Sequence, residues 1–455
     1  MDGHPWRLCR YHGTTGICRY RVCCRRLQSE RCVELVTGRD RPLALMLLGV
    51  AGGCAVYGWA QLVPGSAYLA GDYRVFYSAG LMVRMGSDPY HLVPLMGVEQ
   101  AVRHLYLPAT DLRSGFAYMP IVALALGALT LIPFWVSFTL FVAISSAATL
   151  WSGRSLAAKL GWEVPWAAGL AALLVWPSAW SLLEGQWDGL LLAGTVGIIQ
   201  LRLRDRGFAA GVACTVTWLK PQLLLPLALV VALSFWPQRG SARRVLLGFA
   251  VGSLLLIGTQ ELLVPQLVAP WWTYLIHFAH RIPATQGATA SVDGLVGYLP
   301  RSLGLTDSLT GGFDLTVLVV TVAISGGVSL WFAWCRGHRH ATWFGSQEAC
   351  ISAVALPLGI WLVGTPYDHI NDLTLMVPLL LLVVWNGGRG LGPTSAIVGA
   401  ACFGLLPFIE SYLGFRLVLS PIAAVVLCAA SAYGVWRAAS GGIGSDGLGL
   451  SEYPS

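Results

Sequence analysis

The sequence predicts an all-α protein, a polytopic bundle of about twelve transmembrane helices. Three observations carry this. Hydrophobic residues make up 56% of the chain and charged residues only 11%, with a mean hydropathy of +0.66, whereas a soluble domain carries roughly 25% charged residues. Apolar runs near the length of a bilayer crossing recur along almost all 455 residues. Lysine and arginine clusters fall on alternate connections between those runs, as expected of loops retained on the cytoplasmic side.

The elements follow in order. Residues 1–42 form a basic leader, with nine arginines against four acids in the first 41 residues, which supplies most of the net charge of +7. The leader reads as a disordered cytoplasmic segment and a topology signal, and so speaks against a nucleic-acid partner. Cys9, Cys18, Cys23, Cys24 and Cys32, with His4 and His12, match no paired Cys-x-x-Cys zinc pattern. No small-residue cleavage site follows them, so a signal peptide is not indicated.

Apolar runs then cover 43–63, 164–183, 188–201, 207–219, 222–236, 245–264, 314–335, 349–364, 370–386, 394–409 and 417–437. The stretch 117–151 is split by Pro133 and reads as one crossing plus a re-entrant half-helix. "RDRPL" at 39–43, Arg154 with Lys159, "RLRDR" at 202–206, "RGSARR" at 239–244, "RGHRH" at 336–340, Arg389 and Arg437 fall on the cytoplasmic side. Both termini are then cytoplasmic, provided 117–151 crosses an odd number of times. Residues 43–438 form the membrane domain and 439–455 a cytoplasmic tail.

The opposite side receives the loop 64–116, the turn "LEGQWDG" at 183–189, the break "WLKPQ" at 218–222, the loop 265–313, "TPYDHINDL" at 365–373 and "ESYLGFR" at 410–416. Most of the unusual polar residues gather on this face, while the internal connections are short. In the first outer loop Tyr73, Phe76, Tyr77, Gly80, Leu81 and Arg84 recur at helical spacing, which predicts an amphipathic helix at the interface, ended by "GSDPY" at 86–90. A second amphipathic stretch runs through 95–107.

Each polar group has a plain reading beside a chemical one. Asp72 follows the first span; by spacing it is an N-cap for the helix that starts there, and by environment it is a partly desolvated carboxylate suited to general-base work. Asp88 precedes a proline and reads as a turn former. Glu184, Gln186 and Asp188 sit in a turn too short to stand clear of the bilayer, so they need partners or water. Lys220 either snorkels to the interface or contacts a phosphate. Asp368, His369 and Asp372 occupy one turn; His369 donates to a phosphate or hydroxyl, or bridges the carboxylates. That turn alone supplies few ligands for a divalent metal. Trp271, Trp272 and Tyr274 suit a headgroup region, with His277, His280 and Arg281 following near one-turn spacing as an anchor or an anion site. Phosphate-binding loops of the Walker type and nucleophile elbows are missing from the sequence. A secondary transporter or flippase is the rival class, but no inverted hydropathy repeat is visible and the polar groups lie at one surface.

Taken in order, "GDYRVFYSAGLMVRMGSDPY", "FAYMPIVALALGALTLIP", "LEGQWDGLLLAG", "WLKPQLLLPL" and "TPYDHINDLTLMVPLLLL" resemble glycosyltransferase family 87. The resemblance implies a C-type integral-membrane glycosyltransferase that uses a polyprenyl-phosphate sugar and needs no further cofactor. Asp72 becomes the catalytic base of an inverting transfer of a mannose-like hexose or arabinofuranose-like pentose to a glycolipid or glycan acceptor outside the cytoplasm. Lys220, Arg281 or His369 would stabilise the leaving phosphate, with Gln186, Asp188, Asp368 and Asp372 as further substrate contacts. The implied setting is the plasma (inner) membrane, with membrane lipids, donor and acceptor as partners. Two features depart from the family pattern: Asp188 stands where asparagine is usual, and the basic leader is not a family feature.

Overall fold

A computed structural model describes Gly52 and residues 69–106, 115–236, 238–277, 307–337, 346–365, 369–387, 393–413 and 419–445. The leader, most of the first expected span, and the candidate residues Arg281 and Asp368 lie outside the described residues.

Among the described residues the secondary structure is helical throughout, without strands. The helices are α1 (Gly71–Arg84), α2 (Leu92–Tyr106), α3 (Pro120–Leu129), α4 (Phe134–Leu160), α5 (Pro165–Leu174), α6 (Trp176–Glu184), α7 (Asp188–Leu203) and α8 (Gly207–Cys214). After two 3-10 turns, Thr215–Leu219 and Pro221–Leu223, come α9 (Leu224–Ser234), α10 (Arg239–Leu263), α11 (Pro265–Ile276), α12 (Asp307–Gly337) and α13 (Gln347–Gly364). A 3-10 segment, Ile370–Met376, leads into α14 (Val377–Asn386), followed by α15 (Pro393–Tyr412) and α16 (Ser420–Ser445).

Among the described residues five helices are long and apolar enough to cross a membrane: α4, α10, α12, α13 and α16. A sixth span arises if α5 and α6, bent by 58° about Val175, are one broken crossing. The sequence reads 164–183 as continuous; Pro177 in the first turn of α6 supplies the break, because proline cannot donate to a preceding helical turn. Pro133 separates α3 from α4 as expected. In its most apolar window α13 is 72% buried, whereas α10 is only 17% buried. The first therefore lies inside the bundle, while the second presents Leu254, Leu255 and Leu262 outward, where only lipid satisfies such a surface.

Around α13 the 3-10 segment Ile370–Met376 packs against α6, α7, α13 and α14. At the end of α9, Arg202 Nε and Arg336 Nη1 both donate to the Ser234 carbonyl oxygen, at 2.8 and 3.1 Å. Guanidinium groups suit the negative end of a helix. Between α15 and α16, Glu410 accepts from the backbone N–H groups of Leu419 (3.0 Å) and Ser420 (2.6 Å). This buried carboxylate satisfies the free amides that open α16.

The helix expected at 72–84 exists as α1, but it is enclosed on most sides. Tyr73, Val75, Phe76, Ala79 and Met82 are buried, and only its C-terminal end reaches the surface. α1 lies against α3 so tightly that a Cβ at Gly80 would stand 2.7 Å from the Leu126 carbonyl carbon. Arg74 Nε donates to Glu99 Oε1 at 2.9 Å, an ion pair between α1 and α2 with both side chains buried. "GSDPY" does close α1: Gly86 is left-handed at φ 74° and Asp88 Oδ1 accepts from Tyr90 N at 2.8 Å.

Candidate active site

The site is built where α6 turns into α7. α6 ends at Glu184, and Gly185 adopts φ 75°, a left-handed conformation that favours glycine. A Cβ there would meet the Tyr73 Cβ at 2.6 Å. The turn is locked when Gln186 N donates to the Ser181 carbonyl at 2.8 Å.

α1 is docked onto the same turn. Ala70 N donates to the Leu183 carbonyl at 2.8 Å, and Ala70 itself is left-handed at φ 57°. That conformation costs an alanine about 1–2 kcal/mol, a strain confined to the residue that aims the start of α1. The N-cap position belongs to Ala70, with no side-chain cap. The plain reading of Asp72 as a helix cap is therefore corrected: it lies inside the first turn, and its Oδ2 accepts from Gln186 Nε2. Tyr118 OH in turn donates to Gln186 Oε1 at 3.3 Å.

Asp72 is partly buried, and burial pushes its proton affinity above the ordinary carboxylate value. The Gln186 hydrogen bond and the charges of His369, Lys220 and Arg74 pull it back only in part. Phe76, Tyr118, Phe141 and Trp187 wall the turn, with ring centroids 4.9 Å apart for Phe76 and Tyr118 and for Phe141 and Trp187. The indole N–H of Trp187 has no hydrogen-bond partner among the described residues.

Beneath this layer sits a second cluster. Lys220, 5% exposed, donates to Asp188 Oδ1 at 2.7 Å and to Asp372 Oδ1. Asp188 Oδ2 accepts from Asn371 Nδ2 (2.9 Å) and Ser181 Oγ (3.1 Å), and Asp372 Oδ2 accepts from His369 N at 2.9 Å. The ammonium stands between two carboxylates as a built-in cation, where each acid has a partner on both oxygens. Snorkelling is thus ruled out for Lys220, and the anions it meets are the protein's own side chains. The unusual Asp188 is explained by the same contact: an aspartate here answers a buried lysine.

Sequence reasoning located the turn 183–189, the break 218–222 and the segment 365–373 but did not join them, because Lys220 is 32 residues from Asp188 and 152 from Asp372. It gave Asn371, Tyr118 and the Arg74–Glu99 pair no role. Opposite charges on two neighbouring amphipathic helices were the available signal for that pair. His369 is half-buried beside the cluster. Of the aromatic group at 271–274, Trp271 and Tyr274 are buried in the protein and only Trp272 is exposed. His277 is exposed, with Nδ1 2.8 Å from the Thr273 carbonyl of its own helix. Among the described residues no three His, Cys, Asp or Glu side chains converge as metal ligands.

No curated protein and no solved structure matches the chain significantly. The sequence model of glycosyltransferase family 87 matches residues 116–364, from the strand of chain before α3 to the end of α13. That stretch contains Tyr118, Gln186, Asp188 and Lys220, and the fold brings Asp72 from before it and Asp372 from after it onto those residues. With more than half of its length matched, the chain belongs to glycosyltransferase family 87, as a helical membrane protein with glycosyltransferase activity.

Proposed function

We propose that this glycosyltransferase moves a hexose or pentose from a polyprenyl-phosphate sugar to a glycolipid or glycan acceptor on the extracytoplasmic face of the plasma membrane. In this reading the shorter apolar helices complete about twelve crossings of a C-type fold, with both termini in the cytoplasm. The observation that carries it is the pairing of Asp72 with Gln186 at a turn walled by aromatic rings. A partly buried carboxylate whose proton affinity burial raises is suited to general-base work, and aromatic faces suit the apolar side of a sugar ring.

In the reaction, one oxygen of Asp72 takes the proton of the acceptor hydroxyl as that oxygen bonds to the anomeric carbon. The bond from the anomeric carbon to the phosphate oxygen breaks, polyprenyl phosphate leaves with the electron pair, and the configuration inverts. Lys220 is held by Asp188 and Asp372, so we assign it to keeping the turn in place. His369 at the edge of the cluster and Arg281 of the outer loop remain as the groups that stabilise the departing phosphate.

The test uses purified protein in nanodiscs with radiolabelled polyprenyl-phosphate mannose and polyprenyl-phosphate arabinofuranose, and envelope glycolipids as acceptor. One donor is expected to be consumed, with polyprenyl phosphate released and an inverted linkage in the product; Asp72→Asn abolishes this. Transport of a solute with both donors left intact, or cytoplasmic accessibility of position 72, overturns the reading.

A further inference from the structure

The proton acceptor of such a reaction must be held in one orientation and kept ionised in a setting that disfavours its charge. The geometry around Asp72 contains a device for both. Gln186 is 7% exposed, its backbone is tied to the Ser181 carbonyl, and it follows Gly185, whose left-handed φ of 75° closes the turn. Its side chain has one donating and one accepting end, and the two ends have different partners. The carboxylate of Asp72 only accepts, so the amino group faces its Oδ2, and Tyr118 OH donates to the Oε1 at the far end. Turned around, the amide would set its oxygen against a carboxylate, which can only accept, whereas a hydroxyl tolerates either end. Among the described residues, no hydrogen bond reaches Asp72 Oδ1. One oxygen is therefore clamped, and the other accepts no side-chain or backbone hydrogen bond from these residues.

We propose that Gln186 is a positioning residue for the transfer: with Tyr118 holding the far end of its amide, it clamps one oxygen of Asp72 and favours the charged carboxylate, so that the other oxygen receives the acceptor's proton. This rests on Asp72 being the base. Gln186 acts through Asp72 and need not touch donor or acceptor. The hydrogen bond favours the charged form, the direction in which it acts on Asp72 against the effect of burial. The bond spans 114 residues of sequence, so it also reports whether α1 is seated on the α6–α7 turn.

The deciding experiment needs no substrate. Infrared titration of purified protein in nanodiscs, with the Asp72→Asn difference spectrum identifying the band, gives the midpoint at which Asp72 ionises. In Gln186→Met the midpoint is expected to rise by about one pH unit, the effect of losing one charge-assisted hydrogen bond. Tyr118→Phe should move it the same way by less. An unchanged or lowered midpoint in folded Gln186→Met overturns the proposal; if that variant does not fold, Tyr118→Phe decides by the same criterion. In turnover with the polyprenyl-phosphate donors, the acidic limb of kcat in Gln186→Met should move up by the same interval, with KM for the donor unchanged and partial recovery at higher pH. A pH-independent loss would mark a merely structural role and count against it. If Asp72→Asn stays active while the midpoint shifts as expected, the clamp stands and the assignment of the base falls.

Discussion

Lys220→Met removes the one cation from the cluster of Asp188 and Asp372. Two carboxylate oxygens that share an ammonium lie about 5 Å apart, and at an effective dielectric near 20 their repulsion is about 3 kcal/mol once the ammonium is gone. Each acid also loses a charge-assisted hydrogen bond in a buried setting, and breaking a buried pair typically costs about 3–5 kcal/mol. Protonation of one acid limits the total, so destabilisation near the lower end of that range is expected. The assay is thermal unfolding of the purified protein followed by tryptophan fluorescence at neutral pH, where a loss of this size lowers the apparent Tm by several degrees. Asp188→Asn added to Lys220→Met should recover about half of the loss. The amide removes one charge yet keeps an oxygen to accept from Ser181 and Asn371. The reasoning is refuted if Lys220→Met unfolds within about a degree of wild type, or if the double variant is no better than the single one.

Three further outcomes follow from the same geometry. Because burial raises the folded-state proton affinity of Asp72, its contribution to stability is full where the group is protonated in both states. It falls as pH rises from the unfolded to the folded value and stays lost above that. Asp72→Asn should therefore hold or raise the Tm at neutral pH while lowering turnover by about 10²–10⁴-fold, and a variant both inactive and unstable would contradict this. Gly185→Ala forces a left-handed φ on alanine and sets its Cβ against Tyr73; size-exclusion profiles and turnover should fall together, by at least ~1–3 kcal/mol of strain. Glu410→Gln weakens two hydrogen bonds that open α16; unfolding should come earlier, by about 1–2 kcal/mol, with the pH profile of turnover unmoved.

The sequence made the punctuation of this fold legible, because the chemistry of breaks is local. Pro133, the glycine of "LEGQWDG" and the lysine-proline of "WLKPQ" all interrupt helices where expected. The bend at Val175 had its signal in Pro177 but was hidden inside an apolar run. Partnership was less legible. "GDYRVF" offered an acid near a helix start, and an N-cap was the simplest local use of it. What overrode that was tertiary: the left-handed Ala70 bonded to Leu183 turns Asp72 toward Gln186. Likewise a lysine beside an apolar run suggests an escape to water unless acids are known to wait for it, and the second of these lies far along the chain. The burial of Trp271 and Tyr274 could not be read from composition either, since an aromatic residue at a span end suits lipid headgroups and a protein core equally well.

The lysine at the centre of the polar cluster also bears on how the chain is assembled during synthesis. Membrane segments leave the ribosome in order, and Lys220 must enter a low-dielectric region long before Asp372 has been translated. Asp188, only 32 residues earlier, is already there to receive it. This provisional couple can keep the ammonium between its two half-helices until the last third of the chain arrives and Asp372 closes the ring. A nascent chain arrested between positions 220 and 372 should then insert normally with Asp188 present and mis-insert at this hairpin without it.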